Sequence, residues 1–206
     1  MPAGLTRTDG MMYVEGEGRP WHGLGVAVDS PATAAEAITA ASLDWRVTTN
    51  PVLIRNSHTH VFEPIRGKVA IVREDTQEVF SVMGDGYEPV QNVDSFSFFD
   101  AVIAQGEAMY HTAGSLFGGR KVWILAKLPG DIVVTDTDKI EKYILLSNSH
   151  DGSSALRMKF TPIRVVCNNT LGIALSGHEG FYAKHTRNVL TRATEAREAL
   201  GLAAQY

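Results

Sequence analysis

The sequence is poor in cysteine and in long apolar runs, and both shortages exclude whole classes of protein. Cys167 is the only cysteine among 206 residues, so the chain cannot form an internal disulfide framework, and a reducing cytosol is the expected compartment. No run approaches the roughly 18 apolar residues that a transmembrane helix needs. The first 30 residues contain four acidic side chains, unlike a signal or transit peptide. We therefore expect a cytoplasmic protein with no membrane partner.

Net charge is also low, but it is distributed unevenly. The chain is 44% hydrophobic and 20% charged, which is typical of one folded domain and not of a disordered segment. Its formal charge is −4. Residues 153–206 contain seven Lys or Arg against three Asp or Glu and so carry +4, which leaves −8 on the preceding residues. The last quarter is therefore a distinct basic element.

Hydrophobic periodicity and turn residues predict a single-domain α+β fold, in which an antiparallel β-meander and hairpins pack against a few helices. An N-terminal arm is expected over 1–29, an α+β core over 30–187, and over 188–206 a C-terminal helix that the end of the chain cuts short. The predicted helices lie at about 31–42 after a Ser30 cap, from Asn92 to a Gly106 cap, and from Asn168 or Asn169 to Leu175. The predicted strands lie at 45–54, 68–73, 78–83, 108–116, 121–128, 142–149, 154–161 and 180–184.

Histidines and the single cysteine are the candidates for metal binding or catalysis. His58 and His60 share one face if they lie on a strand, but no third ligand is near, so a polar surface turn explains them equally and no metal or cofactor is predicted. Cys167 ends an apolar run, which favours a buried structural thiol over a nucleophile. Residues 114–121 lack the ending of a phosphate-binding loop and favour a hairpin turn.

The basic quarter combines cations with aromatic side chains. Arg157 and Lys159 share a face of a predicted strand, and Phe181 and Tyr182 lie among further cations. Cations beside stacking rings are the ingredients of a single-stranded nucleic-acid groove, while a solvated surface with ion pairs is the alternative. The predicted phosphate contacts and stacking platforms are Arg120, Lys121, Arg157, Lys159, Arg164, Phe181, Tyr182, Lys184 and Arg187.

The N-terminal string Trp21-His22-Gly23-Leu24-Gly25 is unusual for its aromatic residues between flexible ones. Trp21 either fills a hydrophobic socket of its own chain, which is the favoured interpretation, or contacts a ligand or a neighbouring subunit. An arm that reaches the next subunit would build a homo-oligomer.

Several strings, taken in order, resemble one known family. They are Pro20-Trp21-His22-Gly23-Leu24-Gly25, Leu43-Asp44-Trp45, Gly86-Tyr87-Glu88-Pro89-Val90-Gln91-Asn92, Gly114-Ser115-Leu116 with Gly118-Gly119-Arg120, Asn148-Ser149-His150-Asp151-Gly152-Ser153, Arg164-Val165-Val166-Cys167-Asn168-Asn169-Thr170-Leu171 and His185-Thr186. The chain resembles the phage/plasmid-like protein family, also called the domain-of-unknown-function 932 family. The resemblance implies a phage or plasmid context in a bacterial host, a usual length beyond Tyr206, and no established activity for any residue.

Together these observations predict an accessory protein, more in keeping with binding than with catalysis, that binds or anneals single-stranded DNA in phage DNA metabolism and recombination. The outline is similar to that of phage single-strand annealing proteins, which is an analogy at the level of the fold. Two alternatives stay open. One is a hydrolase or nucleotide-processing enzyme that uses Cys167, or His150 with Asp151, and the other is a phage structural or assembly protein.

Overall fold

The computed structural model describes residues 4–29, 33–103, 108–135, 138–177, 179–189, 191 and 195. Within them the chain forms strands and helices in the following order. They are β1 Met11–Val14, β2 Val26–Val28, α1 Ala34–Ala40, β3 Val47–Arg55, β4 Phe62–Arg73, β5 Val79–Gly84, α2 Asn92–Ile103, β6 Met109–Leu116, β7 Lys121–Lys127, β8 Ile132–Thr135, β9 Asp138–Ile140, β10 Tyr143–Ser149, β11 Leu156–Thr161, α3 Asn168–Ala174 and β12 Phe181–Ala183.

Seven of these strands form the main sheet, in the order β12-β11-β10-β7-β6-β1-β2. From β6 to β12 the chain runs as an antiparallel meander, which the small β8–β9 hairpin interrupts before β10 and α3 interrupts before β12. The strands β3, β4 and β5 form a second antiparallel sheet, and the ladder between β3 and β4 shifts register after Pro51 because proline cannot donate to it. The predicted α+β fold with an antiparallel meander is confirmed.

Both faces of the main sheet are buried. The helical face is the side that packs against α1, α2 and the second sheet, around residues such as Met12, Phe99 and Ile124. The α3 face is the opposite side, where Trp123 and Leu125 pack under α3 and the segment 163–167. Because β7 is covered on both sides, its sequence is a continuous apolar run.

Helix α1 begins one turn later than the sequence predicts. The hydroxyl of Thr33 accepts the Glu36 N–H, and the Glu36 carboxylate accepts the Thr33 N–H, which together form a capping box. The predicted cap at Ser30 lies outside the described residues, as does the predicted cap of α2 at Gly106.

The N-terminal segment belongs partly to the main sheet. Strand β1 pairs antiparallel with β6, and β2 pairs parallel with β1, so an extended arm describes only the stretch between them. Met11 and Met12 are buried on opposite faces, which leaves no polar alternation for the sequence to reveal. Apart from 188, 189, 191 and 195, the predicted C-terminal helix lies outside the described residues. No helix in the described part of the chain has the length and apolar character needed to cross a bilayer.

Candidate nucleic-acid interface

Arg157 and Lys159 lie on the α3 face of β11, as predicted, and both reach the end of α3. Arg157 Nη2 donates to the carbonyl of Gly177 at 3.2 Å, and Lys159 Nζ donates to that of Ser176 at 2.7 Å. Both carbonyls belong to the turn that follows α3, since the helix ends at Ala174, and cations near the C-terminal end of a helix are favourable. These contacts give both cations a structural role, and they leave further N–H groups on each available to a phosphate.

The two adjacent aromatic residues of β12 point to opposite faces of the main sheet. Tyr182 pairs across the strands with Arg157 and is 61% exposed. Phe181 pairs with Met158 and packs partly against the helical-face core. Tyr182 is therefore exposed on the same face as Arg157, whereas Phe181 lies on the other face because successive residues of a strand alternate.

Lys184 and Arg187 are exposed in the segment that follows β12. Neither side chain has a hydrogen bond or ion pair within the part of the chain that the structure describes. Lys184 follows the end of β12, two residues after Tyr182, and both side chains are exposed. We call Arg157, Lys159, Tyr182 and Lys184 the basic edge, because β12 is the last strand on this side of the main sheet.

Arg120 lies between β6 and β7, Lys121 is the first residue of β7, and neither joins the basic edge. The guanidinium of Arg120 donates to the carbonyl of Phe80 at 2.7 Å and pairs with Glu78 at 3.1 Å, so it holds β5 against the main sheet. Lys121 Nζ lies 5.8 Å from the centre of the Phe117 ring. The predicted hairpin tip is a tight turn in which Gly118 and Gly119 take positive φ angles.

Arg164 lies over a different part of the α3 face. It donates to the carbonyl of Gly18 at 2.7 Å and so fastens the N-terminal segment to the residues before α3. His111 lies in the same region, with Nε2 3.7 Å from the carboxylate of Glu17. Burial, with the positive charge of Arg164, lowers the pKa of His111 to about 4. Of the nine predicted residues, four therefore form the basic edge, and Phe181 lies on the opposite face of the main sheet. Arg187 is exposed and has no side-chain partner among the described residues. The other three cations contact other parts of the chain, and they are Arg120, Lys121 and Arg164.

Cys167 and His150 lie on opposite faces of the main sheet. Cys167 is buried in the α3-face core; burial raises the pKa of its thiol, but hydrogen bonds around Thr170 outweigh this and lower it. His150 is buried on the helical face beside Trp45, and its Nε2 lies 2.9 Å from Asn92 Oδ1. Burial lowers the pKa of His150 to about 3. The two side chains do not form a nucleophile and base pair.

The N-terminal string contacts its own chain through His22, and the side chain of Trp21 also lies near the Cys167 thiol. His22 Nε2 lies 2.9 Å from the carbonyl of Val166, whereas Trp21 is 66% exposed. The prediction that Trp21 fills a socket of its own chain is wrong for this reason. His58 and His60 lie on the exposed turn between β3 and β4, where Asn56 accepts the N–H of His58.

A cleft that the sequence did not predict lies next to the basic edge. It has a volume of about 550 Å³ and is lined by the end of β5, the turn 152–155 and residues 184–186. The ring of Tyr87 stacks on His185 with centres 4.9 Å apart, and its hydroxyl donates to the carbonyl of Ser149 at 3.2 Å. Burial raises the pKa of Tyr87 and lowers that of His185. We call this the His185 cleft.

Three of the strings noted in the sequence meet at the His185 cleft. Those around Tyr87, Gly152 and His185 come from separate parts of the chain, and each contributes to its lining. The sequence shows the order of these three strings along the chain, but their spacing does not indicate that they meet at one cleft.

Comparison with known proteins gives one match. A family model described as a domain of unknown function (DUF932) covers residues 79–206, which is more than half of the chain and includes the basic edge and the His185 cleft. No curated protein and no solved structure matches the chain.

Proposed function

The chain belongs to the DUF932 family, and from this premise we propose that it binds single-stranded DNA, without catalysing a reaction, as an accessory protein of phage or plasmid DNA metabolism. The observation that carries the proposal is the basic edge. There, Arg157, Lys159 and the exposed Tyr182 lie on one face of β11 and β12, and the exposed Lys184 follows β12. Phosphates attract the cations, and a base of any sequence can stack on the ring.

The number of cations sets the size of the expected effect. Arg157, Lys159 and Lys184 can each neutralise one phosphate. Single strands release about 0.7 counterions for each phosphate neutralised, so three contacts predict a slope of about −2 for log K against log salt. A base stacked on Tyr182 adds on the order of 1–3 kcal/mol with little preference for sequence.

The direct test is a fluorescence-anisotropy titration of a labelled oligo(dT) at low and moderate salt. We expect binding at low salt that weakens with the slope given above. The double variant R157Q/K159Q removes two positive charges and should weaken binding while making the slope shallower by about 1.4. The matched control K68Q removes one exposed cation of β4, on the second sheet, and should change neither quantity.

A second variant separates DNA binding from the structural role of the cations. Tyr182 is exposed and is not part of the contact with α3, so Y182A keeps both carbonyl contacts of the basic edge intact. It should weaken oligo(dT) binding without changing the salt slope, since it removes stacking and no charge. Absence of binding by the unmodified protein at low salt would overturn the proposal.

We extend the proposal to strand annealing by a homo-oligomer that assembles through the N-terminal segment. Support comes from exposed apolar side chains on that segment, where Trp21 is 66%, Leu24 46% and Val26 54% exposed. Size-exclusion chromatography with light scattering tests it. We expect an oligomer that W21S disrupts, and a strict monomer at micromolar concentration would contradict it.

A further inference from the structure

His185 is a buried polar side chain at the wall of the His185 cleft. It is 7% exposed, and neither of its ring nitrogens makes a well-aligned hydrogen bond among the described residues, although the Glu88 backbone lies near enough to raise its pKa against the effect of burial. Buried polar groups are costly unless they are hydrogen-bonded, so such a group at the wall of a cleft indicates a partner from outside the chain.

The imidazole of His185 is held ready to meet such a partner. Burial lowers its pKa, so the ring is neutral near pH 7 and offers one donor and one acceptor. Its stacking on Tyr87, whose hydroxyl is fixed to Ser149, sets the plane of the ring. The two ring nitrogens point apart, so one of them can meet a donor or an acceptor on the edge of a heterocyclic base.

The mouth of the cleft suits an anion joined to a sugar. Lys184 lines it, is exposed, and has no partner in the described part of the chain. Hydroxyl-bearing Ser153 and Thr186 lie in the same lining. The carboxylate of Asp151 accepts the Ser153 N–H at 2.9 Å, and this hydrogen bond holds the carboxylate to the turn that contains both residues. The volume of about 550 Å³ lies within the range of small-ligand sites.

We propose that the His185 cleft binds one nucleoside monophosphate unit, with Lys184 at the phosphate and His185 at the edge of the base. The unit is either a free mononucleotide or one nucleotide of a strand that continues along the basic edge, since Lys184 belongs to both sites. The second form rests on the proposed function, because it assigns a place to one nucleotide of the bound strand.

The test uses the full chain, dTMP as probe and isothermal titration calorimetry. H185F keeps an aromatic ring against Tyr87 and removes both nitrogens, and it should weaken dTMP binding at least tenfold. K184Q changes an exposed side chain, cannot disturb the core, and should weaken binding in the same direction. R55Q changes an exposed side chain at the end of β3, outside both the cleft and the basic edge, and should leave dTMP binding unchanged. Inorganic phosphate, as the matched control ligand, should bind at least tenfold more weakly than dTMP.

Oligo(dT) titrations of the same variants distinguish the two sources of the nucleotide. If H185F weakens both dTMP and oligo(dT) binding, the unit belongs to the strand, and if it weakens dTMP binding alone, the site takes free mononucleotides. No dTMP binding, with oligo(dT) binding unchanged by H185F, would overturn this inference and leave the proposed function standing. Equal affinity for phosphate and dTMP would overturn the role of His185. Failure of oligo(dT) to bind would overturn the proposed function, while the dTMP titration would still decide the cleft.

Discussion

The basic edge and the His185 cleft are adjacent, share Lys184, and are built in opposite ways. At the basic edge Lys184 is exposed, and the half-buried Arg157 and Lys159 donate to carbonyls of the turn that follows α3. At the cleft His185 is buried, and neither of its ring nitrogens makes a well-aligned hydrogen bond among the described residues. The comparison teaches that Arg157 and Lys159 have structural contacts that account for their positions, whereas the buried imidazole of His185 has no comparable side-chain contact.

The largest difference is expected in stability. His150 belongs to the buried core and not to the lining of the cleft, and H150A should be severely destabilising, because His150 is fully buried between Trp45 and Phe80 and is the partner of Asn92. Removing a buried ring typically costs about 3–5 kcal/mol of the free energy of unfolding. Urea denaturation measures it. A cost below about 1 kcal/mol would show that His150 is not a core residue and would end the contrast with the basic edge.

Acid should separate the two regions next. In the folded chain the pKa of His150 is about 3, below its ordinary value of about 6.5, so the unfolded chain binds a proton that the folded chain does not. The contribution of the neutral His150 to the free energy of unfolding is complete above pH 6.5 and is lost as the pH falls towards 3. The loss is about 1.4 kcal/mol per pH unit for each such histidine.

Urea denaturation between pH 7 and pH 5 measures this loss. Replacing His150 with glutamine should make the dependence on pH shallower. R157Q/K159Q should leave it unchanged, because neither cation titrates in this range. A dependence that H150Q does not alter would contradict the assignment to His150.

The smallest stability effect belongs to the basic edge. R157Q removes one contact with the end of α3 from a partly exposed side chain, so we expect a loss of about 0.3–1 kcal/mol in the free energy of unfolding. K68Q is the control and should cost less. A loss above about 2 kcal/mol would mean that Arg157 is a structural residue first, and DNA titrations of its variants would then need Y182A as their reference.

The sequence could predict the basic edge better than the cleft, for physical reasons. Charge and period-2 alternation are local properties, so the sequence correctly predicts that Arg157 and Lys159 share a face. The same alternation implies that Phe181 and Tyr182 face apart, so the prediction that groups the two rings neglects it. The cleft depends on tertiary contacts between Tyr87, Ser149 and His185, and a missing hydrogen-bond partner becomes visible only when the chain is folded.

The same reasoning explains the elements of the fold. The meander from β6 to β12 was predictable because turns such as Asp151-Gly152 separate its strands. Strands β1 and β2 were not, because Met11 and Met12 are buried on opposite faces and leave no alternation, while β2 is three residues long. The short β8–β9 hairpin also gave no signal strong enough to predict it.

The salt dependence of oligo(dT) binding tests the central claim most directly. The account predicts binding at 50 mM salt, a slope of log K against log salt of about −2, and a slope shallower by about 1.4 in R157Q/K159Q but unchanged in K68Q. No binding at 50 mM salt would contradict the account. So would binding whose slope is the same in R157Q/K159Q as in the unmodified chain, because the phosphate contacts would then lie elsewhere.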